Sequence, residues 1–174
     1  MTPARDGHIL NPAKGEGIMA ADWRDTCHPD ILRVLNYWEE KRQGRLMPSR
    51  ADIDPADLKP YLPHITLVDA VDDDRRYVYR LVGTKEVELR GYDPTGRAVG
   101  DAYFASSADA ALHRYEDVCR KRAPCYIAEP YQVVDRYIGE EDLFLPLSQD
   151  GQKVNMILVF SISRDLHGAP PYGL

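Results

Sequence analysis

YVYRLVGTKEVELRGYDPTGR, residues Tyr77 to Arg97, is the stretch whose reading decides the fold. Tyr77 to Val82 is rich in aromatic and β-branched residues and predicts a strand. Gly83-Thr84 interrupts it, and Thr84 can cap a short helix running through Leu89. Gly91-Tyr92-Asp93-Pro94-Thr95-Gly96 then stacks turn formers: glycine reaches positive φ, proline fixes φ, and an aspartate side chain accepts from backbone N–H groups ahead of it. A strand, a turn or two of helix and a stiff loop wrap chain around a small cavity on one sheet face.

Upstream, His64 to Val71 and Arg76 to Val82 read as an antiparallel hairpin turning on Asp72 to Arg75. Four prolines (Pro48, Pro55, Pro60 and Pro63) forbid a long helix before it, leaving a short one over Pro55 to Lys59 capped by Asp54. Asp30 to Arg42 is a helix: Ile31, Val34, Leu35 and Trp38 fall on one stripe, and Gly44 offers a left-handed cap. That stripe either packs on its own domain or meets its copy in a homodimer. Downstream, Ala98 to Ser106 is irregular, and Ser107 to Arg122 is a long helix. Its apolar face is Ala108, Ala111, Leu112, Tyr115, Val118 and Cys119, with Ser106 or Ser107 as cap and Pro124 as stop. The last third is a meander of Cys125 to Val134, Tyr137 to Ser148 and Lys153 to Ser163. Asp150-Gly151 predicts a two-residue turn that sets Leu147 against Val154, Leu145 against Met156 and Leu143 against Leu158. Pro146 predicts a local break. Helix, two strands, helices and three strands make an α+β fold, a five-stranded antiparallel sheet with helices on one face and a flanking N-terminal helix.

The totals exclude several classes. With 22 Lys+Arg against 28 Asp+Glu the net charge is −6, which argues against a general nucleic-acid binder. The basic runs Arg75-Arg76 and Arg120-Lys121-Arg122 read as solvated element ends. No apolar run is long enough to span a membrane, and Met1 to Ala20 has no apolar core of a signal peptide. Three cysteines (Cys27, Cys119 and Cys125) fit a reducing cytoplasm and no metal pattern. The expected partition is a loose arm over 1–28 (with Met19 an alternative start), a domain over 29–165 and a tail over 166–174.

The element order and several phrases resemble a family of PAS-like proteins, short stand-alone alphaproteobacterial chains of mostly uncharacterised function. The phrases are Pro48 to Pro55, Leu62-Pro63-His64, Tyr79 to Thr84, Gly91 to Gly96 and Leu143 to Ser148. The likeness runs from about His28 to Ser163. It implies a PAS fold and a non-enzymatic sensory or regulatory module that binds a small molecule in its cavity, signals through a protein partner, or both. A ligand-free interaction scaffold and a small enzyme using Arg80 with a carboxylate are the alternatives.

In such a fold the cavity lies between the inner sheet face and the helices after the second strand. Alternation puts Tyr77, Tyr79 and Leu81 on one face and Val78, Arg80 and Val82 on the other, leaving the inward face open. The candidate ligand-binding residues are Tyr79, Arg80, Tyr103, Phe104, Tyr115 and Tyr126. Arg80 is singled out as a bidentate holder of a carboxylate or phosphate, or else as a structural partner of Asp69, Glu86 or Glu129. No catalytic motif, phosphate loop, haem ligand or flavin-reactive cysteine run accompanies them, so no cofactor and no metal is expected.

Overall fold

Tyr77 to Val82 is an edge strand of a five-stranded antiparallel sheet in the computed structural model, which describes residues 22–105, 107–133 and 136–165. The strands are β1 (Ile65–Ala70), β2 (Tyr77–Val82), β3 (Cys125–Val133), β4 (Arg136–Leu147) and β5 (Met156–Asp165). Their order across the sheet is β2-β1-β5-β4-β3, so the hairpin and the meander meet where β5 pairs with β1. The helices are α1 (Pro29–Arg42), α2 (Thr84–Arg90) and α3 (Ala108–Lys121). The fold is α+β, as expected. Met19 and the tail over 166–174 lie outside the described residues.

Alternation gives the sheet two different faces. Leu143, Leu145 and Leu147 stand opposite Phe160, Leu158 and Met156, and they carry α1. Phe144, Asp142 and Glu140 turn the other way, toward α3, where Tyr115 meets the Phe144 ring edge-on. Ile31, Val34, Leu35 and Trp38 are 0–4 % exposed, so the α1 stripe is taken up by the same chain and is not free to form the expected dimer contact. The Trp38 indole N–H also donates to the Pro146 carbonyl at 2.9 Å. A helix with its stripe on its own sheet needs no second copy to cover it. Seven of the residues expected in a loose arm, 22–28, are likewise in place: Trp23 stacks on Tyr126 with centroids 4.4 Å apart, and the His28 N–H donates to the Glu141 carboxylate at 2.7 Å.

Local chemistry explains the boundaries. Pro29 sits in the first turn of α1, which ends on Gln43 and Gly44, both at positive φ. Ser107 caps α3 by accepting from the Ala110 N–H at 3.1 Å. Pro55 to Lys59 forms turns rather than a helix, with Asp54 accepting from the Ala56 N–H at 2.9 Å. The basic runs find local partners: Arg75 with Asp73, Arg76 with Glu116, Arg120 and Lys121 with Asp117.

The last hairpin departs from expectation. Leu147 pairs with Met156, Leu145 with Leu158 and Leu143 with Phe160, two residues beyond the expected register. The Asp150 carboxylate accepts from the Gln152 and Lys153 N–H groups and the Ser148 hydroxyl, which rounds the turn into a longer loop. A slip of two residues leaves every side chain on its face, so the core reading survives. Pro146 makes no break: it pairs with Ile157 in unbroken register. The Leu147 carbonyl faces β5, accepting from the Asn155 N–H. Pro146 therefore points the other way, past the end of β3, where a missing N–H costs nothing.

Gly83 joins β2 to α2 against the backbone of Pro63. A Cβ there would sit 2.3 Å from the Pro63 carbonyl oxygen, so the strand and the turn over Leu62–His64 must separate to admit it. Gly83→Ala is expected to lower unfolding stability by about 1–3 kcal/mol, read by urea denaturation.

Candidate functional site

A bulge decides which β2 side chains face inward. Leu67 pairs with Leu81 but Val68 pairs with Tyr79, which leaves Arg80 as the extra residue. Tyr77 and Tyr79 stay with the α3 side, Tyr77 stacking on Tyr115 at 5.3 Å, while Leu81 moves to the face of Leu67. Arg80 points outward. Its guanidinium Nε lies 2.8 Å from both Asp69 carboxylate oxygens in an exposed pair, so it is the structural partner of Asp69 and does not reach the cavity. The free edge of β2 is covered by the loop after α2: Tyr79 N–H donates to Arg97, and Gly96 and Val99 N–H groups donate to the Tyr79 and Tyr77 carbonyls.

Between the sheet and α2 and α3 lies a small, partly open cavity of about 30 Å³. Of the expected residues, Tyr79, Phe104 and Tyr115 line it. Tyr103 is exposed, and Tyr126 is on the α1 side of β3, donating its hydroxyl to Glu141 at 3.0 Å. The wall that sequence reasoning missed is charged: Glu86 and Arg90 from α2, Arg114 from α3, and Glu140 and Asp142 from β4, with Ser161 and Thr66 from β5 and β1. Two sequence signals pointed to it. Glu86 and Arg90 are spaced i, i+4 on the predicted short helix, and Glu140 and Asp142 are alternate residues of a strand flanked on both sides. A central strand buries both faces, so its carboxylates are buried too.

Burial sets the electrostatics. Glu86, Glu140 and Asp142 are all under 8 % exposed. Burial, with the Asp142 charge adding to it and Arg90 opposing, pushes the Glu86 carboxyl up to about 7. Burial and then the charges of Asp142 and Glu86 raise Glu140 strongly. Asp142 is raised by burial, against the Ser161 hydroxyl, which donates to it at 2.6 Å, and the neighbouring guanidiniums. Arg114 donates to Glu129 at 2.5 Å and lies 3.8 Å from Asp142. Arg90 sits between two rings, its guanidinium 5.0 Å from the centroids of Tyr79 and of Phe104. Its Nε is buried with no hydrogen-bond partner. Among the described residues no group of His, Cys, Asp or Glu is arranged to hold a metal ion.

A second depression, of about 470 Å³ and open, lies on the α1 side beside β2. Leu58, Leu62, Ile65, Leu67, Leu81 and Leu158 make it apolar, and Leu62 and Leu81 are exposed.

Solved structures resemble the chain at low identity. The PAS domain of Bordetella pertussis BvgS shares 14% identity at a TM-score of 0.47, over 59% of this chain and 77% of that one. The LOV domain of the blue-light activated histidine kinase EL346 from Erythrobacter litoralis shares 15% at a TM-score of 0.43, over 58% and 94%. A LOV protein of Rhodobacter sphaeroides shares 12% at 0.42, over 66% and 69%. No curated protein matches the chain. The family model described as PAS domain matches residues 26–160, from the approach to α1 into β5. The chain belongs to the PAS domain family.

Proposed function

We propose that the chain is a non-enzymatic sensory module that holds a small polar molecule in its interior cavity and passes its state on through protein contacts. The observation that carries this reading is Arg90. A buried guanidinium nitrogen without a partner is rare, because leaving it so costs about 1–3 kcal/mol or more. It belongs to a side chain that lines a small polar cavity, so a donor in want of an acceptor lies beside that space. The test is native mass spectrometry of freshly purified protein. A bound small molecule is expected in the wild type and in Arg80→Gln, and is expected to be lost in Arg90→Gln. An adduct equally retained in Arg90→Gln would sink the cavity reading.

The apolar groove beside β2 supports the contact half of the proposal, for a second copy of the chain or for a signalling partner. It replaces the α1 stripe in that role, because that stripe is buried. No helix among the described residues is long and apolar enough to cross a membrane. A cytoplasmic setting is part of the proposal and rests on the three unpaired cysteines.

A further inference from the structure

The open depression beside β2 is a trough with two walls and a floor. One wall is the segment over 50–63, whose prolines keep it from forming a long helix. The other is the end of β2, and the walls meet where Gly83 rests on the Pro63 carbonyl. Ile65, Leu67 and Leu158 make a buried floor, and Leu62 and Leu81, 38 % and 47 % exposed, stand one on each wall. A walled apolar space of about 470 Å³ is the size of a small-molecule site.

The charge at the trough runs against the charge of the chain. The net charge is −6, yet the ionisable side chains that line the trough are Arg50 and Lys59, both cations and both on the first wall. The carboxylates of that wall are committed elsewhere. Asp52 accepts from the Ser49 N–H and pairs with Arg45, Asp57 pairs with Lys41, and Asp54 accepts from the Ala56 N–H. Among the described residues neither Arg50 nor Lys59 pairs with a carboxylate; Arg50 donates from one nitrogen to the Ile53 carbonyl at 2.8 Å. The described surface also offers no apolar ridge to fill the space. Outside the trough its large, exposed apolar side chains are Leu46, Tyr92 and Tyr103, all on irregular segments.

We propose that the trough binds a single-chain anionic amphiphile, a free fatty acid of medium length, with its acyl chain between Leu62 and Leu81 and its carboxylate at the wall that carries Arg50 and Lys59. The apolar floor supplies the affinity, because each methylene taken fully out of water tightens binding about fourfold. The two cations select the anion, which meets no carboxylate there. A trough of this volume holds a flexible chain whole, whereas a stable protein contact buries about 800 Å² on each partner. The site is separate from the interior cavity and makes no use of Arg90. A filled trough is closed to a protein partner, so the fatty acid and a contact on this face exclude each other.

The test is isothermal titration calorimetry of sodium decanoate, kept below its micelle concentration, into the full chain. Expected is saturation at one site, with octanoate weaker by about tenfold, and with decanol and decyltrimethylammonium both weaker than decanoate. Lys59→Gln is expected to weaken decanoate about threefold to fivefold and to leave decanol unchanged. Leu81→Glu is expected to lose decanoate and Arg90→Gln to keep it, with far-UV circular dichroism confirming that each folds. Lys59 is exposed and its replacement disturbs no packing, so the Lys59 arm decides the matter if either of the others does not fold. Decanol binding as tightly as decanoate, or decanoate binding unchanged in both Lys59→Gln and Leu81→Glu, overturns the proposal. Loss of decanoate in a folded Arg90→Gln places it in the interior cavity and overturns it too. Cosedimentation with phosphatidylglycerol vesicles without decanoate binding overturns it in favour of a lipid surface. No saturable heat overturns the trough ligand and leaves the cavity reading standing on its own adduct.

Discussion

Trp38→Ala is expected to lower the unfolding free energy by about 3–5 kcal/mol, a large share of what a domain of this size has. The indole is 2 % exposed, at the centre of the α1 stripe and against the leucine face of β4 and β5. Truncating it opens a cavity that α1 cannot close by shifting, because both its ends are held. His28 is tied to Glu141 at one end, and at the other Ser148 N–H donates to the Pro48 carbonyl beyond the helix. The lost indole N–H also strands the Pro146 carbonyl, which points past the end of β3 and has no ladder partner there. Thermal or urea unfolding measures the loss, and sedimentation velocity run beside it is expected to show no change in oligomeric state. A variant of near wild-type stability that had lost self-association would return α1 to the role of a dimer helix.

The second large effect is in the pH dependence of stability. Glu86 has a folded-state pKa raised from 4.5 to about 7. Its contribution is therefore intact below the unfolded value, and is lost as pH rises through the folded one, because above that range the folded state must hold a buried charge. Glu140 and Asp142 are raised in the same direction. The depressed surface carboxylates Asp52, Asp73, Asp93, Asp117 and Asp150 act with the opposite sign, at lower pH. Wild-type stability is thus expected to be highest near the mildly acidic range and to fall toward pH 8. Glu86→Gln removes one of these terms, and at pH 8 it is expected to be more stable than wild type by about 2–3 kcal/mol, converging with it toward pH 4. Chemical denaturation at a series of pH values reads the difference. A variant less stable than wild type at pH 8 would mean that Glu86 is held ionised by Arg90.

How much of this was legible in the sequence divides along one physical line. Elements whose burial repeats at a fixed period were readable: the α1 and α3 stripes and the alternation of Leu143, Leu145 and Leu147 each name a face, and the register slip at Asp150 was harmless because it was even. The site was not readable by the same means. One inserted residue in β2 shifts Leu81 to the face of Leu67, and alternation over Tyr77 to Val82 alone left open which face was inward, and with it the direction of Arg80. Glu140 and Asp142 look like a solvated strand end until β3 and β5 are known to flank them. Arg90 closes a short helix, where a basic residue is usual for the dipole alone. Tyr79, Phe104 and Tyr115 were found because aromatic bulk announces a wall; the charges between them were hidden by the habit of reading charge as surface.

Glu140, Glu141 and Asp142 point alternately to the two sides of β4. The outer pair belongs to the cavity, and the middle carboxylate holds the start of α1 through the His28 N–H and the Tyr126 hydroxyl. The teeth of one strand move together: a roll of β4 that widens the cavity must pull on the tether of α1 by a comparable amount. The N-terminal segment and the cavity are thus the two pans of one balance, with a single polypeptide thickness as its beam.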